Sequence, residues 1–274
     1  MVRVFITGSS DGIGLAAAKA LSEKGHQVTL HARNAERAKQ ASEAVPKAEG
    51  CLIGNLSSIS ETKQLAKDAN KTGTFDAIIR KSLSANFCEG NAETLTVTDN
   101  AGIGYGATSS KEITSDGISA VFAVNTLAPY ILTCLMDKPK SRILFMSSDS
   151  HFGGDETLKD CTTSFSYANS KLQDTMLSKA FARRWTDVQS VSMHPGWLKT
   201  KMGGASAPGT TDKSSQVLTE WSAGEGFAAK LSSGAFFTTG GEQSPHGGAD
   251  NVKKQEELMK ICRDISNVAV SGEE

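Results

Sequence analysis

No stretch of the chain stays apolar long enough to cross a bilayer, and neither sign of charge dominates: 29 Lys and Arg stand against 30 Asp and Glu, a net charge of −1. The first absence argues against a membrane-spanning helix, the second against a global attraction to nucleic acid or anionic lipid. Disulfide and metal frameworks are missing as well. The five cysteines, Cys51, Cys88, Cys134, Cys161 and Cys262, are scattered, odd in number and without metal-ligand spacing. The five histidines form no metal motif either, so no metal is expected. The N-terminus reads as a strand rather than a secretory signal, which makes the cytoplasm the expected location. At 274 residues the chain can bury one large α/β core as a single domain, residues 1–274.

What is present begins at the first residues. Met1 to Thr7 is a short β-rich apolar run that passes into Gly8-Ser9-Ser10-Asp11-Gly12-Ile13-Gly14 and then into an alanine-rich helical segment. Strand, glycine turn and helix form a seat for a pyrophosphate: Gly8 permits the tight turn, Gly12 lets a phosphate approach, and Gly14 lets the helix lie close to the strand. The helix N-terminus offers unpaired N–H groups to the anion. Gly25 ends that helix, and His26 to Ala32 alternates as a second strand. A dinucleotide site usually places an acid at this strand's end, but here stand His31, Ala32, Arg33 and Asn34. Arg33 presents donors suited to a 2′-phosphate, which favours NADP(H).

Farther along, Tyr167-Ala-Asn-Ser-Lys171 places a phenol and an ammonium one helical turn apart, where the cation can favour the phenolate. Taken together, Thr7-Gly8-x-x-x-Gly12-Ile13-Gly14, Asn100-Ala101-Gly102, Ser147-Ser148, Tyr167-x-x-x-Lys171 and Pro195-Gly196 resemble the short-chain dehydrogenase/reductase family, in the right order over nearly the whole chain. The wording around Ser147 to His151 and His194 to Thr200 is most similar to its retinol-dehydrogenase-like and fungal-type branch.

The resemblance implies a doubly wound parallel sheet of the Rossmann type and hydride transfer between NADP(H) and a carbonyl or alcohol. It assigns Tyr167 as proton donor or acceptor, Ser148 as the hydroxyl that binds the substrate oxygen, Lys171 as the holder of the nicotinamide ribose, and Asn125 as support for a proton-relay water. Cofactor contacts are expected from Thr7, Gly8, Ser10, Gly12, Ile13, Gly14, Arg33, Asn55, Leu56, Asn100, Ala101, Gly102, Tyr167, Lys171, Pro195, Gly196 and Thr200. Asn55 stands where the family usually has an aspartate that accepts from the adenine amino group; an amide oxygen can accept the same bond. An assembly of two or four copies is common in the family.

Arg142 to Ser148 and Val188 to Met193 read as buried strands whose C-terminal ends carry the site, as in open parallel sheets. His151 and His194 fall near that edge, with packing or hydrogen bonding as their expected role. The stretch 203–230 is the candidate substrate lid, Phe152 to Ser166 a second variable wall, and Glu256 to Val268 an amphipathic tail helix.

One segment departs from the family pattern. Phe75 to Ile79 reads as the fourth strand, and the family's Asn-Ala-Gly turn follows after about one residue; here the twenty residues Arg80 to Asp99 intervene, with little apolar pattern. The stretch 80–99 has three readings. It is a lid over the cofactor; or it is unspliced intron; or Thr94 to Thr98 replaces Phe75 to Ile79 in the sheet, the native slot for Phe75 to Ile79 being preferred. For the intron reading, Arg80-Lys81-Ser82 admits C|GT-AAG-TC, containing the donor-like GTAAGT, and Thr98-Asp99 admits ACA-G|AT. Joining the flanks leaves CAT, a single histidine, and restores Ile79-His-Asn100-Ala101-Gly102 in frame. Two other outcomes differ in function: a non-catalytic dinucleotide sensor or scaffold, and an inactive product whose cofactor site the insert spoils. An epimerase or dehydratase on this fold would carry extra substrate-domain sequence that is missing here.

Overall fold

A computed structural model describes residues 1–81, 112–159 and 166–272. Eight strands form one sheet in the order β3-β2-β1-β4-β5-β6-β7-β8. They are β1 (Arg3–Ile6), β2 (Gln27–Ala32), β3 (Gly50–Ile53), β4 (Ala77–Arg80), β5 (Arg142–Met146), β6 (Gln189–His194), β7 (Phe236–Thr238) and β8 (Gly241–Gln243). All pairings are parallel except the last, β7 with β8. The order reverses between β1 and β4, which opens a crevice at the C-terminal ends of the strands there.

Helices cover both faces, so the central strands are apolar on both sides. On one face α1 (Gly12–Glu23), α2 (Ala35–Ala44) and α7 (Asp212–Ala223) pack on Val4, Ile6, Leu30, Ile79 and Met146. On the other, α3 (Ile59–Lys71), α5 (Ala128–Leu135), α6 (Tyr167–Arg184) and α8 (Val252–Ser266) pack on Phe5, Ile78, Ile143 and Phe145. Short α4 (Ala120–Phe122) leads through a π-helical turn, Ala123–Leu127, into α5. No helix among the described residues is long and apolar enough to cross a membrane.

The fourth strand falls where Phe75 to Ile79 predicts it. Ile78 and Ile79 lie level with Phe5 and Ile6 of β1 and with Ile143 and Leu144 of β5. The segment 94–98, its competitor for that slot, lies outside the described residues. The lid expectation narrows. Helix α7 is fixed by the fully buried Trp221, whose indole donates to Gln189 at 2.8 Å, and by the buried Leu218, so it belongs to the core. Residues 203–211 of the stretch are tied back to the exit of β6, the Gly209 N–H donating to the Trp197 carbonyl at 3.1 Å and the Lys199 N–H to the Gly209 carbonyl at 2.8 Å. The strands β7 and β8 follow it and were not foreseen. The tail helix begins at Val252, four residues before the expected start, with Asn251 as its N-cap.

Candidate active site

The glycine turn is built as its sequence suggests, with Gly8 at φ 62° and Gly12 at φ 55°, both in the left-handed region. Asp11 caps α1, its carboxylate accepting from the Gly12 N–H at 2.7 Å. Burial opposes its ionisation, but the Gly12 N–H, Lys201 at 3.2 Å and Arg37 at 3.6 Å outweigh this and hold the carboxyl below its ordinary range. A methyl group added to Gly14 would lie 2.6 Å from the Gly8 carbonyl oxygen, so close packing fixes this residue as glycine. Thr200 lies over the turn, its methyl 3.4 Å from where a Cβ on Gly12 would stand. Ser10 and Ile13, the other residues expected at the turn, are both buried.

His31 organises the turn from behind, and nothing in the strand pattern pointed to that role. Its Nδ1 accepts from the Gly8 N–H at 2.9 Å, which leaves the proton on Nε2 to be donated to the Gly54 carbonyl at 2.9 Å. The His31 N–H in turn donates to Ser9 at 2.8 Å. Full burial, helped by nearby Arg80, lowers its pKa from 6.5 to about 4. Between those values protons bind the unfolded chain but not the folded one, so the stability present at neutral pH is lost as pH falls through that window. The loss approaches about 3 kcal/mol near the lower end, at 1.36 kcal/mol per pKa unit. Unfolding in denaturant at pH 7 and pH 4.5 is expected to show a steep fall in the native chain and a shallower one in His31→Gln. Equal slopes would remove His31 from the account.

At the exit of β5 the two neighbouring serines part roles. Ser147 is buried, bonded to the Lys171 carbonyl and the Thr175 hydroxyl, each at 2.9 Å, and so ties β5 to α6. Ser148 is half-buried and caps the short 3-10 helix Asp149–Gly153, which lies along the first turns of α6: a Cβ on Gly154 would meet Leu172 at 2.8 Å. Tyr167 opens α6, and the Lys171 ammonium stands 5.5 Å from the centre of its ring. That ammonium donates to the Met146 carbonyl at 2.8 Å and to Asp174 at 2.7 Å. Asp174 is a partner that the Tyr-Lys spacing did not reveal, although an acid three residues beyond Lys171 shares its face. Burial pushes its carboxyl up to about 7 against the pull of Lys171. Asn125 sits in the π-helical turn and donates to Ser170 at 3.0 Å; Ser170 donates to the Tyr167 carbonyl at 2.7 Å. Local π geometry of this kind often marks a functional position. Ser147, Ser148, Asn125, Tyr167 and Lys171 thus converge where β5 meets α6.

Other expected residues divide. Gly196 turns out of β6 at φ 100°, while the Pro195 carbonyl accepts from Ser214. The Asn55 amide oxygen already takes both the N–H and the hydroxyl of Ser57, at 3.1 and 2.9 Å, and Leu56 is buried in the core. Asn55 therefore shapes its own loop and has no lone pair left on that oxygen for the adenine amino group assigned to it. Asn100, Ala101 and Gly102 lie outside the described residues. His151 and His194 have packing and bonding partners: His151 bonds the Ser148 carbonyl through Nδ1 and accepts from the His246 N–H, and His194 pairs with Asp149 at 3.1 Å. Among the described residues no group of three His, Cys, Asp or Glu gathers that could hold a metal.

A nicotinamide dinucleotide, which the turn implies, fits this cradle with one exception. Glycines 8, 12 and 14, the start of α1 and Thr200 suit a pyrophosphate, and the cations Arg37 and Lys201 offset the Asp11 carboxylate beside it. The exception is Lys81, whose side chain lies along the turn. Its Cδ is 3.1 Å from a Cβ position on Gly14, and its ammonium donates to the carbonyls of Gly8 and Asp11 at 3.2 and 3.3 Å.

Residues 3–210 match the short chain dehydrogenase family model, and the chain belongs to that family. It is accordingly an oxidoreductase of a class that works with a nicotinamide dinucleotide. It is 62% identical over 273 residues, 99% of this chain and 100% of the relative, to an uncharacterized oxidoreductase of Emericella nidulans. It is 34% identical over 279 residues, 98% of each chain, to a short-chain dehydrogenase of Gibberella zeae. In fold it is similar to the NADPH-bound carbonyl reductase from chicken fatty liver, with a TM-score of 0.62 at 23% identity, covering 89% of this chain and 99% of that one.

Proposed function

We propose that the site at the exits of β1 and β5 is built to interconvert a carbonyl and an alcohol on a small organic substrate, with NADP(H) as the dinucleotide. The observation that carries this reading is that the Lys171 ammonium stands 5.5 Å from the Tyr167 ring on α6, while β5, tied to that helix through Ser147 and the Lys171 carbonyl, ends at the half-buried Ser148. The dinucleotide supplies or accepts the hydride. Negative charge then grows on the substrate oxygen, and groups that bond it more tightly at that moment lower the barrier. The Tyr167 hydroxyl gives the proton and Ser148 a second hydrogen bond. An ordinary phenol is a poor base at neutral pH, and the Lys171 ammonium on the same face favours its anion when the reaction runs toward the carbonyl. Asn125, bonded through Ser170 to the first turn of α6, supports a water chain for that proton. A sensor without chemistry has no need for these four side chains together.

Preference for NADP(H) rests on charge. The exit of β2 carries Arg33 and no acid, and Arg37 extends the cationic edge to Asp11. Arg33→Ala is expected to weaken NADPH about 10-fold or more while barely changing NADH, since a charge-assisted hydrogen bond contributes about 1.5–3 kcal/mol. Fluorescence titration of both dinucleotides checks this, and equal weakening would count against a bound 2′-phosphate. The reaction itself is tested by NADPH consumption over a panel of aldehydes and ketones. Dinucleotide binding with no consumption on any of them would favour the sensor. A cytoplasmic homodimer or homotetramer completes the proposal.

A further inference from the structure

The exit of β4 carries two residues that suit neither a strand end nor a cofactor seat. Arg80 is 1% exposed, with its guanidinium among Thr133, Met136 and the Phe5 ring. Its Nη1 has no hydrogen-bond partner, and no acid pairs with it among the described residues. Burial lowers its pKa to about 9. A desolvated cation with an unsatisfied donor is costly, and a protein seldom retains one without a task. Lys81 follows, its Cδ in the space that Gly14 leaves open and its ammonium on the turn's carbonyls. Burial lowers its pKa to about 8, with Asp11 opposing and Lys171 near enough to push the same way.

The backbone at this position is tied to the glycine turn. Lys81 is held on both sides by Thr7, its N–H donating to the Thr7 hydroxyl at 2.8 Å and its carbonyl accepting at 2.9 Å. The position after Arg80 is thus locked to the first residue of the glycine motif. If one residue replaces 80–99, Asn100 falls on that locked position and Ala101-Gly102 follow beside the cradle.

We propose that Arg80 to Asp99 is translated intron, that Lys81 plugs the dinucleotide cradle of this long chain, and that the working enzyme carries one histidine in their place. The inference rests on the dinucleotide reading above. Histidine removes the buried guanidinium, and asparagine removes the long cationic side chain from the turn. The codons allow it: the donor-like GTAAGT spans Arg80 to Ser82, the acceptor-like CAG spans Thr98 and Asp99, and Leu95-Thr96 admits CTA-AC, a sequence suited to the branch adenosine.

Three proteins test this by NADPH fluorescence titration: the long chain, the long chain with Lys81→Ala, and the form with one histidine for 80–99. The short form is expected to bind at least about 10-fold more tightly than the long one, 1.4 kcal/mol in binding free energy, and Lys81→Ala to tighten the long chain. Equal binding by long and short forms, or weaker binding on Lys81→Ala, overturns the plug; the second result would make Lys81 a phosphate ligand. Sequencing of transcripts is expected to find the joined His-Asn codons, and messages that always keep the segment overturn the intron. A short form that binds NADPH but consumes none sinks the proposed reaction while leaving this inference standing.

Discussion

Tyr167→Phe, made in whichever form consumes NADPH, is expected to cut turnover by about a thousandfold while leaving dinucleotide binding nearly intact. The substitution removes one oxygen from the first residue of α6, a half-buried position whose ring contacts survive. Positioned acid–base groups contribute roughly 10²- to 10⁴-fold, and the loss here falls in that range because the same hydroxyl is also a hydrogen bond to the growing charge. The loss should appear in kcat rather than KM, since the interaction strengthens only as the oxygen becomes anionic. Ser148→Ala keeps the proton donor and is expected to cost less. Turnover unchanged in Tyr167→Phe would remove the phenol from the reaction and leave the Ser148, Asn125 and Lys171 arrangement as architecture only.

How much of this was legible beforehand follows from how local each signal is. The strand, turn and helix at the N-terminus are local, with glycines at the positions whose φ is positive and Asp11 before the helix, so they were readable as a unit. The Tyr167–Lys171 face was readable because helical spacing alone sets it. What escaped depends on contacts across the sheet. His31 reads from sequence as one more alternating residue in β2, and only the close approach of Gly8 and Gly54 makes it a clamp on the turn. Nothing before folding separates Ser147 from Ser148; the approach of α6 takes the first into Lys171 and Thr175 and leaves the second half-buried. Asn55 illustrates the converse. Its family position suggests an adenine contact, whereas the neighbouring Ser57 claims its oxygen in a local turn. Arg80 and Lys81 carry ordinary solvent-seeking side chains in sequence, and become anomalous only once β4 takes its place between β1 and β5.

Gly14→Val is expected to abolish measurable dinucleotide binding in the form that otherwise binds it. The first added carbon would stand 2.6 Å from the Gly8 carbonyl and 3.1 Å from the Ser9 Cα, both backbone atoms that no rotamer change can move aside. Relief requires the turn to lift from α1 or α1 to withdraw from β1, and the latter is opposed by Ile13, Ala17, Ala18 and Leu21, all buried on the sheet. The turn therefore yields, and His31, which holds the Gly8 N–H, resists even that. A displaced turn takes its N–H groups off the phosphate oxygens; at about 1.5–3 kcal/mol for each charge-assisted hydrogen bond, losing two weakens binding on the order of 100-fold or more, and valine's branch adds to it. The contrasting substitution is Gly25→Ala, also at positive φ but with nothing within 4 Å of its Cβ position. It is expected to lower stability by about 1 kcal/mol or more through backbone strain alone and to leave NADPH binding unchanged. If Gly14→Val bound NADPH as well as Gly25→Ala does, the dinucleotide would have to lie elsewhere than over the turn, and the cradle assigned to residues 8–14 would lose its function.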